Sequence, residues 1–228
     1  MRGLRRSLDA VAASGDVAVI AEVKRRSPSK GPLAPDLDPA GLARAYEDGG
    51  AAAVSVLTDV QFFGGSPEDL AAARAATGLP VLRKDFTVDA RDVVDARLMG
   101  ADCVLLIAAA LDQAELVDFM ALANQVGLDA LVEIHDEEEL ERAVAAGADL
   151  IGVNQRDLVT FAVDTDRAVR MAPQMPAGVV RVAESGIAGP HDASVLAEAG
   201  YHAVLVGESL VTSGDPRRGT AALRAARR

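Results

Sequence analysis

The sequence AEVKRRSPSKG occupies residues 21–31, at the end of the first apolar run of the chain. Residues 17–23 have the composition of a buried strand, yet Glu22 and Lys24 stand two residues apart and therefore share one face of that strand. The basic loop that follows contains Pro28, which cannot continue a strand ladder. A strand that ends in charged residues and leads into a basic loop is typical of an active site in a parallel α/β protein.

Segments with strand and helix patterns alternate along the rest of the chain. Strands are predicted over residues 17–23, 52–57, 81–83, 103–107, 130–134, 150–153, 179–183 and 203–206. Helices are predicted over residues 4–13, 38–48, 66–76, 89–99, 112–126, 136–146, 164–172 and 190–199, and after Pro216. Asp38 and Pro39 form the expected N-cap and first position of one of these helices.

Glycines lie between the predicted helices and the strands that follow them. A left-handed helix C-cap is predicted at Gly50, Gly78, Gly100, Gly127, Gly147, Gly178 and Gly200, each between a helix and the next strand. Four of them, Gly50, Gly100, Gly147 and Gly200, recur at about fifty residues, or two βα units, which predicts an α/β fold of the (β/α)8 TIM-barrel type. Residues 1–228 are expected to form one barrel domain, with residues 1–16 as a short N-terminal helical extension. An open doubly wound sheet is the alternative, but it would normally show longer hydrophobic edges or an antiparallel strand.

Composition excludes several classes of function. The chain has 228 residues, 50% of them hydrophobic, and a formal net charge of -11, which argues against nucleic acid or an anionic membrane as a partner. The longest apolar run, residues 103–111, is too short for a membrane span, and no signal peptide is evident, so a cytoplasmic protein is expected. Cys103 lies in that run and is interpreted as a buried hydrophobe.

No metal or cofactor site is predicted, because the three histidines do not have metal-ligand spacing. His135 would share a face with Glu133 and is interpreted as a rim histidine without a function.

The carboxyl ends of the predicted strands carry polar residues. They are Glu22, Lys24, Thr58, Lys84, Glu133, Asn154, Glu184 and Ser185, with Ile107 and Gly207 at the two remaining positions. Burying an unpaired charge costs several kcal/mol, whereas a domain has only about 5–15 kcal/mol of net stability. These residues are therefore predicted to line a wet, ligand-binding mouth rather than a dry core. A closed salt-bridge network between the strands is the alternative.

Two short segments have the character of phosphate-binding loops. Residues 184–187 (ESGI) follow the seventh predicted strand, and residues 207–210 (GESL) follow the eighth and open a short helix. Glycines let main-chain N–H groups approach an anion, and barrels commonly bind phosphate after strands seven and eight. Either tetrapeptide alone could equally be an ordinary turn.

The apolar side of the pocket is predicted to consist of Leu57, Phe63, Phe86, Leu105 and Ile107. Their alternative interpretation is ordinary core. Phe62 and Phe63 lie next to each other in a glycine-rich loop, where both are rarely buried, so one of them is expected to cover a ligand.

The segments at these strand ends together resemble one known family. Residues 20–31 (IAEVKRRSPSKG) are similar to the signature of indole-3-glycerol phosphate synthase, a carboxy-lyase of tryptophan biosynthesis. The similarity continues through residues 55–58 (SVLT), 63–66 (FGGS), 82–86 (LRKDF), 131–133 (LVE), 152–158 (GVNQRDL), 183–187 (AESGI) and 206–208 (VGE). It covers the chain from about Val17 to the end.

This resemblance implies a reaction and a set of roles. The family closes 1-(2-carboxyphenylamino)-1-deoxyribulose 5-phosphate to an indole, with loss of carbon dioxide and water. By resemblance, Lys84 is the general acid of ring closure, Glu133 is the base of the dehydration and Lys24 is a second catalytic lysine. The resemblance implies that Glu22, Asn154 and Glu184 orient these groups, that Ser27 and Arg156 hold anionic groups, and that Ser185, Gly186, Gly207, Glu208 and Ser209 bind phosphate, chiefly by main-chain N–H groups.

The residue types suit this chemistry independently of the resemblance. Ring closure puts charge on a carbonyl oxygen, for which a positioned ammonium is a good proton donor. No electron-sink cofactor is needed, because the cyclised ring carries an iminium group that receives the electrons. A dianionic substrate also needs a locally positive mouth, which Lys24, Lys84 and Arg156 provide.

The sequence departs from the family in one respect and leaves several alternatives open. Family members usually have a longer segment before the first strand, including a helix over the mouth, so a truncated lid is expected here. The chain could be a paralogue from another pathway, or a barrel that binds a sugar phosphate without turnover. The isomerase of the preceding step is disfavoured, because that family resembles a cysteine and aspartate pair and Cys103 lies in mid-strand. A monomer or weak homo-oligomer is expected.

Overall fold

The computed structural model describes residues 1–226 and contains a closed barrel of eight parallel strands. Each strand pairs with the next along the chain, and β1 pairs with β8 to complete the ring. The strands are β1 Ala18–Val23, β2 Ala53–Leu57, β3 Val81–Lys84, β4 Cys103–Ile107, β5 Asp129–Ile134, β6 Leu150–Asn154, β7 Val180–Glu184 and β8 Ala203–Val206. The predicted (β/α)8 barrel is confirmed, and the open doubly wound sheet is excluded because the ring closes.

Helices alternate with the strands around the outside. They are α1 Leu4–Ala12, α2 Pro39–Asp48, α3 Pro67–Ala76, α4 Ala90–Leu98, α5 Gln113–Val126, α6 Glu137–Ala145, α7 Arg167–Met171, α8 Pro190–Glu198, α9 Glu208–Val211 and α10 Pro216–Arg224. Asp38 caps α2 as predicted, and its side chain accepts a hydrogen bond from the Ala40 N–H. The helix predicted over residues 164–172 is shorter, and the chain continues as a 3-10 turn at Ala172–Gln174 that contains Pro173.

The prediction of left-handed glycines after the helices is correct at six positions and wrong at one. Positive φ angles occur at Gly50, Gly100, Gly127, Gly147, Gly178 and Gly200. Gly78 is not among the positive-φ glycines, because α3 ends on Thr77 in an extended conformation with φ -135°. The N–H of Gly78 instead donates to Glu47 Oε1 at 3.0 Å, so the carboxylate of α2 takes part in ending α3.

The side chains of the strands alternate between two apolar layers. One layer lies between strands and helices and includes Val19, Ala21 and Val23 of β1. The other fills the barrel interior and includes Ala18 and Ile20 of the same strand, together with Cys103. Because alternate residues share a face, the interior column of β1 continues to Glu22 at the carboxyl end. The barrel therefore changes from an apolar floor to a charged top.

Helix α1 closes the amino end of the barrel. Leu4 and Leu8 are fully buried in the interior apolar cluster. The main-chain N–H groups of Arg2 and Arg5, at the start of α1, donate to Asp102 Oδ1 and Asp129 Oδ2, each at 2.9 Å. Anionic groups at a helix N-terminus complement its unpaired N–H groups and its dipole. Both apolar packing and carboxylates thus hold α1 against the barrel floor.

Asp102 connects α1 to the barrel through several hydrogen bonds. Its carboxylate also accepts hydrogen bonds from Arg74 and from the Val81 N–H, the latter at 3.0 Å. Burial favours the neutral acid, but the hydrogen bonds from the Arg2 N–H and from Arg74 outweigh it and hold the pKa of Asp102 below its usual value. A carboxylate with a lowered pKa stabilises the fold above its unfolded pKa of about 3.9 and loses that contribution as the pH falls through the folded value.

Replacing Asp102 with asparagine is therefore expected to lower the free energy of unfolding by about 3–5 kcal/mol at pH 7, because a buried ion pair loses one partner. Urea unfolding at pH 7 and pH 3 measures this, and the difference from the unsubstituted protein should shrink at the lower pH. Asp149→Asn is the matched control, because Asp149 pairs with Arg5 at 3.3 Å but is 64% exposed. Its expected effect is below about 1 kcal/mol. Equal effects of the two substitutions would contradict the role of Asp102.

Within the described residues, no helix has both the length and the apolar character that a bilayer crossing requires.

Candidate active site

One cavity at the carboxyl end of the barrel brings together residues that are far apart in the sequence. Of the residues predicted to form the site, it is lined by Glu22, Lys24, Ser27, Leu57, Phe63, Lys84, Phe86, Leu105, Ile107, Glu133, Asn154, Arg156, Glu184, Ser185, Gly186, Gly207 and Glu208. Ser209 does not line this cavity but lies in an adjoining cleft, which also contains Arg156, Gly186 and Glu208. Arg156 therefore stands where the cavity and the cleft meet.

Lys84 is held between two carboxylates on the cavity floor. Its Nζ lies 2.9 Å from Glu133 Oε2 and 3.4 Å from Glu184 Oε2, and the side chain is 15% exposed. Burial disfavours the ammonium, but the charges of Glu133, Glu184 and Glu22 outweigh burial and raise the pKa of Lys84 above its usual value. The lysine is thus a fully charged proton donor with two carboxyl groups beside it.

Glu133 and Glu184 have opposite proton affinities although both are buried. Burial would raise the pKa of Glu133, but Lys84 and a 3.0 Å hydrogen bond from Asn154 Nδ2 to Oε1 lower it below its usual value. For Glu184, burial together with the neighbouring charge of Glu133 outweighs Lys84 and raises the pKa to about 8. Oppositely shifted carboxyls in one site are typical of acid–base catalysis. Glu133 is therefore the ionised group, and Glu184 holds a proton near neutral pH.

Lys24 and Glu22 form a second ion pair at the edge of the same cavity, with Nζ and Oε1 2.6 Å apart. The main chain of this strand is fixed from outside, because the hydroxyl of the fully buried Tyr46 donates to the Glu22 carbonyl oxygen at 2.9 Å. Gly207 leaves the space that the pair occupies, since a Cβ at this position would lie 2.4 Å from Glu22 Oε1 and 3.1 Å from Lys24 Nζ.

Gly152 leaves a similar space for Glu184. It lies on β6 in register with Glu133 of β5, and a Cβ added to it would lie 2.1 Å from Glu184 Oε1. Any side chain at this position must displace the buried carboxyl that contacts Lys84.

Gly152→Ala is expected to lower kcat about 10- to 100-fold, because small displacements of catalytic groups have effects of that size. Steady-state kinetics and thermal melting measure the substitution. Gly189→Ala is the matched control, because a Cβ at Gly189 would have no neighbour within 4 Å and its φ is -172°. The control should keep kcat within about twofold. A fully active Gly152→Ala protein would mean that the position of Glu184 does not matter.

The loops after β7 and β8 contact each other, and two residues of the first loop have left-handed main-chain conformations. Ser185 and Gly186 both have positive φ angles, 67° and 74°. The Ser209 hydroxyl donates to the Ile187 carbonyl oxygen at 3.1 Å and so joins the two loops. The Glu208 carboxylate is directed at Lys30, with Oε1 3.8 Å from Nζ, so its main-chain N–H is the group it can offer to an anion. Consecutive N–H groups in such loops can bind phosphate.

The opposite side of the cavity is apolar. Leu57, Leu105 and Ile107 are buried and also belong to the barrel core, so both interpretations made from sequence hold for them. Of the two adjacent phenylalanines, Phe63 lines the cavity, whereas Phe62 lies outside it and packs edge-on against Phe86, with ring centroids 6.4 Å apart. A flat aromatic group can lie against this wall.

Some residues of the site were not assigned from the sequence. Asp85 lines the cavity and accepts hydrogen bonds from Thr58 and from the buried Arg83, the latter at 3.0 Å. Phe161 lines it from the loop after β6 with a positive φ of 59°. No sequence pattern indicates such a loop conformation. His135, interpreted from the sequence as a rim histidine without a function, has a side chain that is 12% exposed, with Nδ1 3.0 Å from Glu139 Oε2.

In residues 1–226, no group of three or more histidine, cysteine, aspartate or glutamate side chains is arranged to hold a metal ion.

The sequence of the chain is similar to one family of enzymes. Residues 2–223 match the family model described as indole-3-glycerol phosphate synthase. The synthase of Mycobacteroides abscessus is 55% identical over 218 residues, which cover 95% of this chain and 80% of that protein. Indole-3-glycerol phosphate synthase 1 of Streptomyces coelicolor is 56% identical over 224 residues, covering 97% of this chain and 83% of that protein.

Among solved structures, a thiamine phosphate pyrophosphorylase from Pyrococcus furiosus superposes with a TM-score of 0.70. The match covers 92% of this chain and 95% of that chain at 18% sequence identity, which supports the fold alone.

Proposed function

The chain belongs to the indole-3-glycerol phosphate synthase family, and from this premise we propose how its residues divide the steps of the reaction. It is a carboxy-lyase of tryptophan biosynthesis. Its substrate, 1-(2-carboxyphenylamino)-1-deoxyribulose 5-phosphate, is closed to indole-3-glycerol phosphate with loss of carbon dioxide and water. The observation that carries the assignment of roles is the ammonium of Lys84 between Glu133 and Glu184 on the cavity floor.

In the ring closure, Lys84 is the general acid. The aromatic carbon that bears the carboxylate attacks the ketone carbon of the ribulose chain, and the ammonium gives a proton to the ketone oxygen. Proton transfer from a positioned group contributes about 10²–10⁴-fold to the rate. The pKa of Lys84 is raised by its carboxylate neighbours, so the lysine is protonated when the substrate arrives.

In the decarboxylation, the closed ring itself receives the electrons. The bond from the ring carbon to the carboxylate breaks, its electron pair moves to the iminium nitrogen, and carbon dioxide leaves. Leu57, Leu105 and Ile107 form an apolar wall for the aromatic ring. An apolar wall removes water from the carboxylate, which favours the loss of its charge as neutral carbon dioxide.

In the dehydration, Glu133 is the base and a lysine is the acid. Glu133 removes a proton from the carbon next to nitrogen, while Lys24 or Lys84 protonates the departing hydroxyl group. Glu133 is suited to this step because its pKa is lowered and it is ionised. Glu22, Asn154 and Glu184 orient the three groups through the contacts described above.

The anionic groups of the substrate occupy the two sides of the mouth. Phosphate lies between the loops after β7 and β8 and accepts hydrogen bonds chiefly from main-chain N–H groups. These belong to Ser185, Gly186, Gly207, Glu208 and Ser209. Ser27 and Arg156 add contacts from the loops after β1 and β6, and Phe63 and Phe86 complete the wall against the aromatic ring.

The chain is also proposed to act as one barrel domain, in the cytoplasm, as a monomer or weak homo-oligomer. The support for a single domain is the continuous ring of strands from residue 18 to residue 206. Light scattering after size exclusion tests the oligomeric part of this proposal.

The whole assignment is tested by incubating the protein with its substrate and following indole fluorescence and released carbon dioxide. Both should appear in equal amounts. A thermal-shift titration with the same substrate is run beside the assay. Binding without product would contradict the assigned roles and would favour a barrel that binds the sugar phosphate without turnover.

A further inference from the structure

The interior column of β5 continues beyond the strand to a histidine for which the proposed mechanism has no use. Leu131, Glu133 and His135 occupy alternate positions on β5 and just after it, so they share the inner face. Leu131 is on the apolar floor, Glu133 is the proposed base, and His135 is the next residue upward. Its side chain is 12% exposed, which is unusual for an imidazole at the end of a barrel strand unless the ring has partners.

One nitrogen of the ring is fixed from the outside of the barrel. His135 Nδ1 lies 3.0 Å from Glu139 Oε2, and the main-chain N–H of His135 donates to the same oxygen at 2.7 Å. Glu139 stands in the first turn of α6, where its own N–H donates to Asp136 Oδ1 at 2.9 Å. The Glu139 carboxylate therefore holds a proton on Nδ1 and sets the orientation of the ring.

The other nitrogen is directed at the proposed base. His135 Nε2 lies 3.7 Å from Glu133 Oε1, and this atom is fully buried with no hydrogen-bond partner. When the ring carries a proton on each nitrogen, Nδ1–H donates to Glu139 and Nε2–H points at Glu133. A neutral ring would instead direct a lone pair at a carboxylate oxygen.

The charged groups around Glu133 determine how a protonated His135 affects its ionisation. The other titratable groups beside the base are Lys84 on β3 and Glu184 on β7, and Glu22 on β1 acts in turn on both of these. With Glu139 behind the ring, this group contains more carboxyls than lysines, so an additional cation at His135 favours the ionised form of Glu133. After burial, Lys84 and Asn154, His135 is among the causes of the lowered pKa of Glu133.

We propose that His135 is a positioning residue that, in its protonated form, keeps Glu133 ionised and aligned as the base, while Glu139 holds the ring in place. The proposal rests on the role of Glu133 given under the proposed function. It predicts that His135 acts on the reaction only through Glu133, and therefore in a pH-dependent way.

The test is the pH profile of kcat for three variants. His135→Asn keeps a donor towards Glu139 but has nothing near the Nε2 position, His135→Gln keeps a neutral donor there, and Glu139→Gln releases the ring. Loss of the cation makes Glu133 harder to ionise, so the acid limb of the profile moves to higher pH. For His135→Asn we expect the acid limb to move by about one pH unit to higher pH, with kcat within twofold of the unsubstituted protein at pH 9 and an unchanged KM.

The remaining variants sharpen this result. Glu139→Gln should shift the acid limb in the same direction, and His135→Gln should lie between His135→Asn and the unsubstituted protein. His191→Asn is the control, because His191 is an exposed histidine on α8, and its profile should superimpose on that of the unsubstituted protein. Circular dichroism establishes that each variant is folded, and Glu139→Gln carries the test if both His135 variants unfold.

Two results would overturn the proposal: a His135→Asn profile that superimposes on that of the unsubstituted protein, or a kcat lowered by the same factor at every pH, which indicates packing only. Its failure is distinct from failure of the proposed function. If Glu133→Gln is inactive while His135→Asn behaves normally, only the role of His135 is wrong. If Glu133→Gln keeps full activity, the role of the base is wrong as well.

Discussion

Replacing Lys84 with methionine is expected to lower kcat by about 10³-fold, within the range that general acid catalysis contributes. Methionine keeps the unbranched stem and removes the ammonium that protonates the ketone oxygen. Indole fluorescence and carbon dioxide release should fall together, because ring closure precedes both. Arg97→Met is the matched control, because Arg97 is an exposed cation on α4. The control should keep kcat within about twofold. A Lys84→Met protein with more than a tenth of the original kcat would remove Lys84 from the mechanism.

The same substitution should also change the stability of the fold in a pH-dependent way. Without the ammonium, the buried carboxyls of Glu133 and Glu184 face each other, and breaking a buried ion pair costs about 3–5 kcal/mol. The pKa of Glu184 is already raised to about 8 by burial and by Glu133. A carboxyl with a raised pKa binds its proton in the folded protein, so folding becomes less favourable as the pH rises towards that value. Urea unfolding should therefore show a larger loss at pH 8.5 than at pH 5.5.

Glu133→Gln is expected to lower the rate of indole formation by about 10³-fold. It should also separate in time the appearance of carbon dioxide and of indole. Glutamine cannot take a proton in the dehydration, but Lys84 still has Glu184 beside it and can protonate the ketone. In a single turnover with carboxyl-labelled substrate, carbon dioxide should therefore appear before indole fluorescence. Rapid-quench measurements compare the two signals.

The control for Glu133→Gln is Glu138→Gln, because Glu138 is exposed on α6 and its loss should leave both signals unchanged. Carbon dioxide and indole that slow by the same factor in Glu133→Gln would place Glu133 at or before ring closure and would contradict its role as the base of the last step.

Much of the site could be predicted because a strand repeats every two residues. Once Glu22 and Lys24 were placed at the end of β1, the same rule placed Lys84, Glu133 and Glu184 at the ends of other strands on the inner face. Parallel strands in a closed ring must bring these ends together, and the cavity contains all five residues. Local periodicity and chain closure thus determine which residues meet.

The parts that sequence could not supply depend on contacts between distant segments. Phe161 enters the cavity through a left-handed main-chain conformation that no local pattern requires. Helix α3 ends at the extended Thr77, and the N–H of Gly78 donates to Glu47 of another helix, so the rule for a glycine after a helix gave the wrong conformation there. His135 has the same two-residue spacing as the other inner residues, but its importance depends on Glu139 approaching from outside the barrel. Pairings of this kind become visible only in three dimensions.

Helix α1 closes one end of the barrel and so determines where small molecules enter and leave it. Its leucines fill the amino end of the barrel, so substrate arrives, and every product departs, through the mouth at the opposite end. A compound bound at the mouth would therefore block the release of products as well as the entry of substrate.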